Sequence, residues 1–262
     1  MPSTTLKLDR GRILTLALGV PIAIGVIGYG GLYYVALVGQ DSFHVQTAVT
    51  PAGGQVTVGV GSGNISVVAS ADPQAHIDGV ISYSIIRPNV HWATSPSGTV
   101  LEGANCLWVA HDCGANFTLA VPSGQGVNAS SGSGTVQARD VVSSLTLYSG
   151  SGNVSIERVS GSLDLSAGSG DITGTDVSAR TVHASDGSGN VALSFTGVPD
   201  QVRVSASSGN ITVALPTTVA YAVSATTSYG TPSIGVPTSS TSHHVIDLTA
   251  GSGNITVVPA GT

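Results

Sequence analysis

Apolar and polar residues alternate with a period of two on either side of a recurring Ser-Gly-Asn turn, and this block repeats along most of the chain. Its central glycines are Gly63, Gly134, Gly152, Gly170, Gly189, Gly209 and Gly253, with a degraded eighth copy at Gly230. From Gly134 onward the steps are 18, 18, 19, 20, 21 and 23 residues. Seven and five residues before each glycine the positions are apolar, as in Val56 and Val58, Leu145 and Leu147, or Ile246 and Leu248. Two and four residues after it they are apolar again, as in Ile65 and Val67, Val154 and Ile156, or Ile255 and Val257. This alternation predicts two short strands per copy, each with one buried face, and residues two apart cannot share a helix face.

Two polar columns run between the apolar ones. The residue after the glycine is Asn64, Thr135, Asn153, Asp171, Asn190, Asn210, Thr231 or Asn254. Two further on stand Ser66, Gln137, Ser155, Thr173, Ala192, Thr212, Ser233 and Thr256. A two-strand unit cannot bury its apolar face alone, so neighbouring copies must stack. The predicted fold is therefore all-β: a β-solenoid of about eight two-strand rungs, with a β-sandwich or meander of hairpins as the alternative. Stacking turns the polar columns into ladders, and Asn64, Asn153, Asp171, Asn190, Asn210 and Asn254 with Ser155, Thr173, Thr212 and Thr256 form the candidate binding ladder. Gly and Asn are expected at the turn because both tolerate positive φ. At Gly230 the inward position is Pro232, which cannot donate to a ladder, so that rung is expected to bend or to sit at an edge.

Ahead of the repeats, residues 13–40 are uncharged and mostly apolar, long enough to span a bilayer as one helix. Lys7, Arg10 and Arg12 precede this stretch and Asp41 follows it. That asymmetry predicts a cytoplasmic tail over 1–12, a transmembrane signal anchor over 13–40 and an extracellular β-repeat domain over 41–262. A cleaved signal peptide is the competing reading, but no Ala-x-Ala site follows the apolar run. Beyond residue 40 the chain keeps 13 acidic and 5 basic side chains, because Asp9, Lys7, Arg10 and Arg12 of its 14 acidic and 8 basic residues precede the anchor. An acidic balance without a basic cluster argues against nucleic acid as a partner.

Residues 68–126 interrupt the period. HIDGVISYSII (76–86) and FTLAVP (117–122) read as strands, and the segment holds both cysteines, Cys106 and Cys113. Outside the cell two nearby cysteines are expected to form a disulfide. A metal held by Cys106, His111 and Cys113 lacks the paired spacing of a structural zinc site.

The N-terminal anchor, the Cys106–Cys113 element, the strand ending Val121-Pro122 and the serial Ser-Gly-Asn/Asp-Ile/Val repeats resemble the bacterial putative-adhesin, β-strand-repeat family over about residues 45–258. The resemblance implies a β-helical or sandwich-like fold and a cell-envelope location, and brings no catalytic residues. It points to a cell-surface binding or scaffold module for glycan, wall polymer or a protein partner. The alternative is an envelope enzyme acting on polysaccharide. Such chemistry needs two carboxyl groups about 5–10 Å apart, and Asp164 and Asp171 flank one turn. Isolated solvated acids explain them more simply, as a solvated strand residue explains His183 and a surface loop explains His243-His244. No cofactor or metal is expected.

Overall fold

The structure is a computed structural model that describes residues 40–49, 55–84, 87, 91–95, 98–102 and 114–261. The expected anchor before Gln40, together with Cys106, Cys113 and His111, lies outside the described residues. The described chain is all-β. Its first part gives β1 (Gln40–Val49), β2 (Gln55–Ser62), β3 (Ile65–Ser70), β4 (Ala75–Ser84), β5 (His91–Ser95), β6 (Gly98–Glu102) and β7 (Gly114–Pro122). The periodic part then gives two strands per copy: β8 (Val127–Ser133) and β9 (Val136–Arg139), β10 (Leu145–Ser149) and β11 (Val154–Glu157), β12 (Ser162–Ala167) and β13 (Ile172–Val177), β14 (Thr181–Ser188) and β15 (Val191–Phe195). The last copies are β16 (Gln201–Ser208) and β17 (Ile211–Leu215), β18 (Ala222–Tyr229) and β19 (Pro232–Ile234), and β20 (Val245–Ser252) and β21 (Ile255–Pro259).

The two strands of a copy belong to different sheets. One sheet runs β1-β4-β7-β3-β9-β11-β13-β15-β17-β21-β19 and the other β18-β20-β16-β14-β12-β10-β8-β2-β6-β5. Equivalent strands of neighbouring copies pair in parallel, with Leu145 opposite Leu163 and Val154 opposite Ile172. Parallel pairing across copies rules out a meander of hairpins and makes the fold solenoid-like. The apolar columns of both sheets meet between them in one continuous core, with Val56, Leu147, Leu165, Ile172 and Ile211 fully buried. Eleven strands spaced about 4.8 Å apart give the longer sheet a length of roughly 48 Å.

Rung order departs from chain order at both ends. The last copy in sequence, β20 and β21, inserts between β16/β17 and β18/β19. The degraded copy is thus the end of the stack. There Pro232 has a neighbour on one side only, so its missing N–H leaves no bond unmade, and the edge placement anticipated from the sequence holds. The buried Tyr221 supports this end, its hydroxyl donating to the Pro216 carbonyl at 2.8 Å. At the other end β6 and β7 pair in parallel with β2 and β3, so the aperiodic segment supplies a ninth rung. Antiparallel β4 and β1 extend one sheet and antiparallel β5 ends the other.

The turns carry the tightest contacts. Positive φ accounts for only half of the turn glycines: Gly63, Gly209, Gly230 and Gly253 have φ between 133° and 158°, whereas Gly134, Gly152, Gly170 and Gly189 lie outside the left-handed region. What every turn shares is the approach of the next rung. A Cβ on Gly152 would lie 2.2 Å from the Gly134 carbonyl oxygen, and one on Gly170 would lie 2.3 Å from that of Gly152. Among the described residues, the non-glycine residues in the left-handed region are Asp140, Arg158 and Asp176, at the opposite turn of three successive rungs.

Substituting Gly152→Ala therefore forces backbone against backbone and is expected to lower stability by about 2–3 kcal/mol. Gly61→Ala, whose added Cβ meets nothing within 4 Å, is expected to stay within about 0.5 kcal/mol. Urea denaturation of the two variants checks the contrast.

Candidate functional site

The candidate ladder lies along the outer face and turn edge of the sheet that contains β9, β11, β13, β15, β17, β21 and β19. Its hydroxyl row is in register: Ser66 pairs with Gln137, Gln137 with Ser155, Ser155 with Thr173, Thr173 with Ala192, Ala192 with Thr212, and Thr212 with Thr256. Alternation along each strand turns these side chains away from the core, leaving Thr173 and Thr212 exposed and Ser155 and Thr256 half-buried. The hydroxyls of Ser155, Thr173, Thr212 and Thr256 make no internal hydrogen bond among the described residues, so all four are free for an outside partner.

The asparagine column is different, because its side chains hold the rungs together. Asn64 Oδ1 accepts the Thr135 N–H at 2.8 Å, and Asn153 Oδ1 accepts that of Asp171 at 2.9 Å. Asp171 Oδ1 accepts the Asn190 N–H at 2.8 Å, Asn190 that of Asn210 at 3.0 Å, and Asn210 that of Asn254 at 2.9 Å. Asn254 closes the series by accepting the Thr231 N–H at 3.0 Å. The task needs only an acceptor, which explains why a carboxylate serves at Asp171. Thr231, on the terminal rung, donates and has no further rung to serve. None of these asparagines has positive φ, so the conformational reason expected for them gives way to rung-to-rung bonding. The ladder continues into the aperiodic segment, where Asn116 Oδ1 accepts the Asn64 N–H at 3.0 Å. The signal was present in Asn116-Phe117-Thr118-Leu119, which repeats the pattern of Asn254-Ile255-Thr256-Val257 without its glycine.

A second set of rung-to-rung bonds escaped the sequence pattern. Ser131 and Ser149, three residues before their turn glycines, donate to the carbonyls of Gly63 and Gly134, each at 2.7 Å. At the opposite turn a charge ladder forms. Arg158 holds Asp140 in a bidentate pair at 2.6 and 3.1 Å and also contacts Glu157, which pairs with Arg139 at 2.9 Å. The Arg158 hydrogen bonds keep the Asp140 carboxyl below the usual aspartate range.

Asp164 and Asp171, the carboxylates considered for glycosidic chemistry, have different surroundings. Asp164 stands on the outer face of the opposite sheet, between Thr146 and His183, whereas Asp171 belongs to the asparagine ladder. His183 is exposed on that same outer face. His244 is engaged within the fold, its Nδ1 lying 2.9 Å from the Pro199 carbonyl. Clefts on the described surface are open and modest; one of about 300 Å³ is lined by Asn64, Ser66, Asp78 and Asn116.

Two facing parallel sheets, one strand from each rung in each, with turn glycines in van der Waals register, define a solenoid-like β-repeat domain. The chain belongs to the Toastrack DUF4097 family, whose profile matches residues 38–258. Among solved structures it is similar to a putative adhesin from Bacteroides fragilis NCTC 9343, at 16% identity over 83% of this chain and 97% of that chain, with a TM-score of 0.52. It is also similar to a putative adhesin from Parabacteroides merdae ATCC 43184, at 14% identity over 84% of this chain and 97% of that chain, with a TM-score of 0.49. At these identities the likeness shows the fold alone. No curated protein matches the chain.

Asn190→Ala removes the acceptor for Asn210 and is expected to cost about 1–2 kcal/mol. Asn190→Asp keeps an acceptor, as Asp171 does, and is expected to retain most of that stability. Chemical denaturation of both variants distinguishes a bonding ladder from a merely exposed polar row.

Proposed function

We propose that this protein is a cell-surface binding or scaffold module, anchored by its N-terminal apolar segment, that engages extended polar partners such as glycan or wall polymer through the hydroxyl row. The observation that carries this reading is the division of labour between the two columns. The asparagine oxygens are committed to the stack, while the hydroxyls of Ser155 and Thr173, and of Thr212 and Thr256, are left free on two pairs of adjacent rungs with Ala192 between the pairs. A partner with hydroxyl groups repeated along a chain matches such a row better than a compact ligand does, because the face offers repeated shallow contacts. The fold neighbour from Bacteroides fragilis, a putative adhesin by name, points in the same direction. The apolar run over 13–40 behind Lys7, Arg10 and Arg12 supports a cytoplasmic N-terminus and an external location for the repeat domain, where Cys106 and Cys113 would pair as a disulfide.

Full-length protein in detergent, tested against cell-wall preparations and a glycan array, is expected to bind one polymer saturably. Changing Thr173 and Thr212 together to Val is expected to weaken that binding about tenfold, since each lost hydrogen bond is worth about 0.5–1.5 kcal/mol. The fold should be unaffected. Asp164→Asn and Asp171→Asn are expected to leave binding intact. Polysaccharide cleavage abolished by those two changes would instead establish the enzyme reading.

A further inference from the structure

Three residues before the turn glycines runs an inward column of Val60, Ser131, Ser149, Ala167, Asp186, Ala206, Thr227 and Ala250. Where the residue is Ser131, Ser149 or Thr227, its hydroxyl donates to the turn-glycine carbonyl of the adjacent rung, at 2.7, 2.7 and 2.9 Å. Asp186 occupies this column with only 3% of its surface exposed, and neither carboxylate oxygen has a hydrogen-bond partner. Its Oδ2 lies where the hydroxyls lie. It is 2.9 Å from the Cβ position of its own turn glycine, Gly189, against 3.1 Å for Ser131 and Gly134, 3.0 Å for Ser149 and Gly152, and 3.1 Å for Thr227 and Gly230. The carbonyl that faces this position is that of Gly170, 2.3 Å from the same Cβ point. An ionised carboxylate has only lone pairs to set against a carbonyl oxygen, whereas a carboxylic acid has an O–H to donate.

The surroundings agree. On the neighbouring strands Asp186 pairs in register with Ala167 and Ala206, both buried methyls. In the other sheet Ile172 and Val191, which open the strands after the Gly170 and Gly189 turns, are apolar and buried. Among the described residues the charged group acting on it is the Asp171 carboxylate, a like charge, while His183 on its own strand is exposed on the opposite face. The amides of Ser188 and Gly187 pull toward ionisation without completing a hydrogen bond, and burial outweighs them, moving the carboxyl above the usual aspartate range.

We propose that Asp186 is held as the neutral acid and donates its O–H to the Gly170 carbonyl, replacing the serine hydroxyl of other rungs and making this rung a pH-sensitive joint in the stack. In the unfolded chain the same carboxyl ionises near pH 4. The folded state therefore binds more protons than the unfolded state above that pH, and stability falls as pH rises toward the folded-state pKa. Asp186→Ser supplies a hydroxyl with no titration.

Thermal melts of the full-length protein from pH 4 to pH 8, beside Asp186→Ser, test the idea. The gap in Tm in favour of the serine variant is expected to widen by roughly 5 °C across that range. Parallel pH profiles, or a gap that narrows with rising pH, would overturn the proposal. A titration of the Asp186 carboxyl carbon by NMR in the unsubstituted protein gives an independent reading even if the variant fails to fold. A midpoint above that of free aspartate supports the neutral acid, and one at or below it overturns the proposal. A Tm raised by millimolar calcium, with the rise lost in Asp186→Ser, would also overturn it, because a cation rather than a proton would then hold the group.

Discussion

The rest of this structure depends on how closely one turn can lie upon the next. Parallel strands in register fix the rung spacing at about 4.8 Å, and at the turn this brings a carbonyl oxygen to within 2.0–2.3 Å of where a side chain would begin on Gly134, Gly152, Gly170 and Gly189. Glycine is imposed there by its neighbour in space. Once the turns nest, the apolar columns superimpose into a continuous core, and every polar residue beside the glycine meets its counterpart one rung away. The asparagine ladder, the serine hydroxyls beneath the turns and the buried Asp186 all follow from that nesting.

This dependence divides the repeated residues by role. Atoms nearest the turn serve the stack: the asparagine oxygens take backbone N–H groups that a parallel ladder leaves unpaired where the strands break. Atoms two residues further on are paired by the regular sheet through their backbones, and their side chains are released from any structural duty. A column that looks uniform in composition thus contains a structural half and a free half, and the free half is the surface on which a binding function rests.

Much of the fold was legible in the sequence because the features that define it are periodic. The two strands per copy and the buried columns came from spacing, and the missing N–H of Pro232 narrowed its rung to a bend or an edge. The order of the rungs was not, because nothing local tells β20 and β21 to insert between β16/β17 and β18/β19. The ninth rung was hidden because β7 lacks the turn glycine, Ala115 standing where the other copies have Gly, although Asn116 and Phe117 keep the pattern. The candidate ladder was read as one surface, and the hydrogen bonds divide it in two. Only the direction of the hydrogen bonds separates Asn190, committed to Asn210, from Thr212, which faces outward. Asp186 was hidden for a related reason: a charged residue in a serine and alanine column looks solvent-facing until the strand's alternation is fixed in space.

Residue-resolved amide hydrogen exchange on the full-length protein tests most directly whether turn side chains lock the rungs together. Asp171, Asn190, Asn210 and Asn254 lie in exposed turns outside the strands, where unbonded amides exchange freely. The account predicts that their N–H groups are protected to the same degree as core strand amides such as those of Val191 and Ile211. Fast exchange at these four turn amides, with the adjoining strands still protected, would contradict it.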